Sequence, residues 1–216
     1  MYGYKVKLLD ELSGEELLGA NQKGVVMIEG PLPPGCMQTV WRDDARFVST
    51  YWSRLNGKYV YSTFDWGVRD DSGYYFILGR TDDVINVAGH RLGTREIEES
   101  ISAHPNVAEV AVVGVADAIK GQVAIAFAVL KDTAALTDSA AALKLEGEIM
   151  KRVDEHLGAL ARPARVRFVS VLPKTRSGKL LRRAIQAVCE QRDPGDLTTM
   201  EDPIALQQIR ELVTAS

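Results

Sequence analysis

The sequence predicts an α+β fold: a β-rich piece over residues 1–80, a compact α+β domain with a small central sheet over 81–192, and a tail over 193–216. Three observations predict it. Up to Arg80 the apolar residues fall in short runs cut by Pro and Gly, the pattern of strand and turn. Beyond Arg80 the spacing switches, and Leu145, Ile149, Val153 and Leu157 recur every four residues, as on one face of a helix. Two apolar runs, VAEVAVVGV and QVAIAFAVL, are of the kind a small buried sheet uses.

In chain order, YKVKLL and GVVMIEG are strands, and Pro31, Pro33, Pro34 and Gly35 break the pattern after the second of them. GKYVYSTFDWGVRDDSGYYFILGR is a hairpin with an acidic turn from Asp70 to Gly73. GTREIEESISAHP is a helix with Thr94 as N-cap, Glu96 and Glu98 in its first turn, Ile97 and Ile101 on its apolar face, and Pro105 past its end. The two apolar runs are strands, the Leu145 stretch is a long helix, and RVRFVSVL is a further strand. Leu181, Ile185, Val188 and Cys189 mark a last helix, giving the order αββαβα over roughly 110 residues, a normal domain size. From Asp193 the tail carries a capped terminal helix without an evident partner.

Composition excludes several classes. The chain has 216 residues, 46% hydrophobic and 25% charged, as in ordinary globular proteins of one or two domains. A formal charge of -3 gives no bulk attraction to nucleic acid or anionic membrane. No apolar run approaches the ~20 residues that span a bilayer. The first residues lack the basic flank and apolar core of a signal peptide, so a cytoplasmic protein is expected. Cys36 and Cys189 stand far apart, with no Cys or His at ligand spacing, and read as packing thiols rather than a metal site.

Two stretches are dense in chemistry. In GRTDDVINVAGHRLGTREIE, the carboxylates of Asp82 and Asp83 share a junction with Arg80, His90, Arg91 and Arg95, and Gly89 and Gly93 permit close backbone approach. Neither GxxxxGK[ST] nor GxGxxG occurs there. His90 reads as a structural hydrogen-bonder rather than a base, and the acidic pair as either solvated linker or functional joint. In LPKTRSGKLL, Pro173 blocks a continuing helix and Gly178 frees the turn. The result is a mobile loop presenting Lys179 at a helix start, either a basic surface loop or the carrier of a catalytic lysine. Five of the ten residues from Lys174 to Arg183 are basic, but no aromatic residue stands among them to stack on bases, and no nucleic-acid partner is expected.

YSTFDWG, GYYFILGRTDDVINVAGHRLGTREIEE and LPKTRSGKLLRR, in that order, resemble the C-terminal motifs of the adenylate-forming enzymes, the superfamily of acyl-CoA synthetases, luciferases and peptide-synthetase adenylation domains. Within it the chain is most similar to the short-chain acyl-CoA synthetases. TFDWG, GHRLGTREIEESI, LPPGC and RDPGDLTT resemble propionate-activating members more than acetate-activating ones, which usually carry Gly where Phe64 stands. The resemblance implies an AMP-forming ligase that converts propionate and ATP to propionyl-adenylate and passes the acyl group to CoA. Mg²⁺ would travel with ATP, and no metal ligand is expected in this chain. Acetate as the acid, or a non-catalytic nucleotide-binding or interaction module, are the alternatives.

By the same resemblance, Asp65 and Arg80 hold the ATP ribose, two carboxylate oxygens suiting two vicinal hydroxyls. Asp82 is the hinge between two catalytic poses. Gly89 leaves room for the pantetheine arm of CoA, and Arg91 contacts phosphate or gates the passage. Lys179 is the catalytic lysine, open to a lysine acetyltransferase and a deacetylase as partners. One position departs: an ungapped count places Asp154 where acetyl-CoA synthetases carry an Arg that meets a CoA phosphate. The family's triphosphate loop and acid pocket have no counterpart in the sequence. The chain thus resembles the C-terminal part of such an enzyme and is not expected to be active alone.

Overall fold

The computed structural model describes residues 3–55, 57–136 and 139–214. They fall into two compact units, Met1–Asp82 and Asp83–Ser216. The first is a four-stranded antiparallel sheet in sequence order, β1 (Lys5–Leu9), β2 (Lys23–Glu29), β3 (Val60–Arg69) and β4 (Tyr75–Arg80). Leu8, Leu9, Val25, Val26, Met27, Val60 and Trp66 are among its buried residues. The expected acidic turn joins β3 to β4, with Gly73 N donating to Asp70 O and Asp70 N to Tyr74 O. A helix stands where only strand and turn are expected. It is α1 (Asp44–Tyr51), begun by the Asp43 carboxylate accepting from Arg46 N.

The second unit holds a five-stranded sheet covered on both faces. Its strands are β5 (Val84–Val87), β6 (His90–Gly93), β7 (Val107–Asp117), β8 (Gly121–Leu130) and β9 (Arg165–Phe168). β8 is central, antiparallel to β7 along one edge; on the other it pairs in parallel with β9 and meets β5 at Gly121. The pleat sends Val110, Val112, Ala124, Ala126 and Ala128 to one core, with Ile97 and Ile101 of α2 (Thr94–Ser102) and Ile149 and Val153 of α3 (Ser139–Leu157). It sends Ala111, Val113 and Phe127 to a second core, with Ile185 and Val188 of α4 (Arg182–Cys189) and Leu206 and Ile209 of α5 (Pro203–Thr214). Burial on both faces is why β7 and β8 read as continuous apolar runs rather than alternating ones.

The expected αββαβα order is present, preceded by the β5–β6 hairpin, which sequence reasoning did not anticipate. Three details differ. Thr94 does not cap α2: Gly93 already holds the extended N-cap conformation, with no side chain to accept a bond, and Thr94 is the buried first helical residue. The RVRFVSVL strand ends at Phe168, where the chain leaves the sheet to bury Leu172 in the second core. Leu157, at the last turn of α3, is 38% exposed, so that helix's apolar face closes at Val153. The tail helix α5 does have a partner, since it packs on α4. Its start is capped by Asp202, which accepts from Ile204 N, and Pro203 opens the first turn. No helix among the described residues is long and apolar enough to cross a membrane.

Candidate functional site

Asp65 and Arg80 are brought together by strand register. β3 and β4 place them opposite one another, with Arg80 Nη1 3.7 Å from Asp65 Oδ1 and donating to Thr63 O at 3.1 Å. Ser62 pairs with Met27 but Asp65 with Val26, so Thr63 and Phe64 form a bulge in β3. Phe64 takes φ 61, a left-handed backbone that costs a side-chain-bearing residue about 1 kcal/mol or more. Glycine would adopt it freely. The Phe64 ring meets Tyr51 edge-on at 5.6 Å, and the guanidinium groups of Arg54 and Arg80 lie over it at 5.2 and 5.4 Å. An acceptor carboxylate beside a donor guanidinium, both reachable from solvent, is a pair that can grip vicinal hydroxyls. Sequence reasoning singled out both charged residues and did not foresee the left-handed backbone of Phe64 or the arginines over its ring.

Asp82 lies within the one-turn helix Thr81–Asp83, and the division between the two units falls immediately after it. Beyond it, β5 and β6 are joined by the two-residue turn Ala88–Gly89, with φ 50 and 83, the pattern of a type I′ hairpin. Ala88 N donates to Lys120 O, which pins the tip to the start of β8. A Cβ added to Gly89 would meet nothing within 4 Å, so the turn leaves a bare backbone surface there. Arg91 is half-buried, paired in register with Asn86. His90 is exposed with Nδ1 3.3 Å from Ala88 O, the local hydrogen-bonding role expected of it.

The Lys179 loop is a small closed hairpin, more firmly tied than the mobile loop expected. Thr175 N donates to Lys179 O and Gly178 N to Thr175 O, both at 2.8 Å, and Thr175 Oγ1 accepts from Lys179 N at 3.1 Å. Gly178, at φ 81, closes the turn. A second segment braces its base: Arg176 N donates to Thr199 O, and Glu201 N to Lys174 O. α4 begins at Arg182, so Lys179 lies in the closing arm of the hairpin and not at the helix start. Lys174 is paired with Glu109 Oε1 at 2.6 Å. Lys179 is exposed and has no carboxylate partner among the described residues. Within the basic run, one lysine is committed to structure and the other is presented.

Arg182 is likewise committed. Its Nε and Nη2 donate to the Glu98 carboxylate at 3.0 and 2.8 Å, and Nη1 lies 3.9 Å from Asp83. Glu98, 8% exposed, also accepts from Val112 N, so one carboxylate joins α2, β7 and α4. Burial disfavours the charge on Arg182, but the bonds to Glu98 and the charges of Glu98 and Asp83 outweigh it and raise its pKa above the ordinary value. Sequence reasoning put Glu98 in the first turn of α2 with Glu96, but only Glu96 falls there and Glu98 lies just beyond that turn, buried. The signal was its spacing, since Thr94, Glu98 and Ile101 lie at i, i+4 and i+7 on one face, and all three are buried. Arg182→Ala strands a buried carboxylate and should lower stability by about 3–5 kcal/mol in urea denaturation. A loss within that of an exposed pair, under about 1 kcal/mol, would mean the pair is idle.

No group of three or more His, Cys, Asp or Glu among the described residues could hold a metal ion. Residues 96–179 match the AMP-binding enzyme C-terminal domain family. It is 67% identical over 213 residues to the propionate–CoA ligase of Salmonella typhimurium strain LT2, covering 99% of this chain and 34% of that protein. It is 44% identical over 209 residues to the acetyl-coenzyme A synthetase of Pyrobaculum arsenaticum, covering 97% of this chain and 30% of that protein. Among solved structures, ATP-bound MatB from Rhodopseudomonas palustris superposes with a TM-score of 0.68 at 28% identity, over 87% of this chain and 35% of that one. The chain spans about a third of the length of the curated relatives it matches.

Proposed function

We propose that this chain supplies the ribose-binding edge and the mobile catalytic domain of an AMP-forming short-chain acyl-CoA ligase acting on propionate. The observation that carries the reading is the Asp65–Arg80 pair at 3.7 Å, held by strand register in a chain 67% identical to a propionate–CoA ligase. In the first half-reaction a propionate oxygen attacks the α-phosphorus of ATP, and the bond to pyrophosphate breaks. Asp65 and Arg80 hold the ribose while Lys179 bridges the two anions. In the second, the small domain turns about Asp82, and the CoA thiolate enters past Gly89 and attacks the acyl carbonyl. AMP leaves with the electron pair of the carbon–oxygen bond. Arg91 contacts phosphate or gates the passage. Mg²⁺ arrives with the ATP phosphates, hard oxygen ligands that suit it. An exposed Lys179 is open to an acetyltransferase and its deacetylase, and a cytoplasmic location goes with this reading.

The test joins this chain to the remaining part of the Salmonella typhimurium ligase. The chimera should release pyrophosphate in response to propionate and form propionyl-CoA. The 216-residue chain alone should do neither. Its ATP affinity should be no better than about millimolar, because two polar contacts leave the triphosphate in water. A folded but inactive chimera, or propionate-dependent pyrophosphate release by the chain alone, overturns the reading.

A further inference from the structure

We propose that Phe64 is a positioning residue whose ring fixes the Arg80 guanidinium beside Asp65. The consequence for nucleotide binding rests on the function proposed above; the geometry does not. A phenylalanine at φ 61 persists only where its surroundings over-determine it. Here they do. Tyr51 meets the ring edge-on at 5.6 Å and is itself stacked on Tyr61 at 5.2 Å, and Arg54 covers the ring at 5.2 Å. The bulge at Thr63 and Phe64 breaks the β2–β3 register just ahead of Asp65. Arg80, with its side chain 49% exposed, lies over the same ring at 5.4 Å.

The chemistry favours a ring for this task. A guanidinium on an aromatic face is held through its own face, while its N–H donors point outward in the plane. A second carboxylate would hold Arg80 by engaging its donors, whereas the ring holds it through the guanidinium face and competes for none of them, Nη1 keeping its bond to Thr63 O. Stacking also restricts a long, half-exposed side chain before the ligand arrives, so less rotamer freedom is lost on binding.

The first measurement uses the 216-residue chain. The Arg80 Nε–H resonance, assigned with Arg80→Lys, should be displaced by the ring current. Phe64→Leu should return it to the position of an unstacked arginine, and Phe64→Tyr and Phe64→Trp should keep it displaced. Phe64→Gly, which accepts the backbone without conflict, should behave like Leu and guards against misfolding. In the chimera, Phe64→Leu and Phe64→Gly should raise KM for ATP about two- to fivefold with kcat little changed, and the aromatic variants should restore it. An Arg80 resonance unmoved by Phe64→Leu overturns the proposal. A displaced resonance with unchanged KM in an active chimera does so as well. If the wild-type chimera is inactive, the nucleotide reading fails and the resonance alone decides the positioning role.

Discussion

Lys179→Ala in the chimera should slow propionyl-adenylate formation about a thousandfold, equivalent to about 3–4 kcal/mol of transition-state stabilisation. Carboxylate and phosphate are both anionic, and charge builds around the α-phosphorus as they are forced together. An ammonium is a compact charge with three donors, able to touch the carboxylate and a phosphate oxygen at once. The structure adds a control. Lys179 has no carboxylate partner among the described residues and is exposed, so its removal should leave the melting temperature unchanged. Lys174→Ala removes a partly exposed pair with Glu109 and should cost under about 1 kcal/mol of stability. The thioester half-reaction, started from supplied propionyl-adenylate and CoA, should proceed nearly normally in Lys179→Ala. Acetylating Lys179 should reproduce the mutant, because it removes the charge and keeps the stem. Equal loss of both half-reactions would return Lys179 to the surface.

Asp82→Pro should separate the half-reactions by the backbone alone. Proline locks φ near −65°, inside the range of the short helical turn in which Asp82 sits. The pose compatible with that turn survives, while any pose that needs another φ is closed. One half-reaction should persist and the other fall about a hundredfold, equivalent to about 3 kcal/mol. Proline also restricts Thr81 in the same turn, so the melting temperature of Asp82→Pro checks that the boundary stays folded, and Asp82→Ala, which only removes the carboxylate, should spare both half-reactions. If Asp82→Pro weakens both halves alike, Asp82 is ordinary linker.

The two-faced sheet was legible in the sequence because burial on both faces leaves apolar runs without polar alternation. The Asp65 and Arg80 pair was legible through motif resemblance, and strand register then supplied the reason for their proximity. The features that escaped notice had weak local signals. α1 is only eight residues long and carries Phe47, Val48, Thr50 and Tyr51, whose composition favours strand as much as helix. The β5–β6 turn has Ala88 at a left-handed position where Asn or Asp would announce a hairpin. The Glu98–Arg182 pair is made by tertiary packing between α2 and α4, and only the helical spacing of Glu98 hints at its burial. The backbone of Phe64 contradicts its own propensity, and no periodicity reports such a conflict.

The second core is completed from the far end of the chain. The family match stops at Lys179, yet Met200, Leu206 and Ile209 close the face formed by Phe127, Ile185 and Val188. A nonsense codon placed just beyond α4 would spare every residue proposed for chemistry and still bare that face to solvent. Its phenotype would be set by proteolytic triage of an unstable product rather than by lost catalysis, so a late truncation allele would behave as a null.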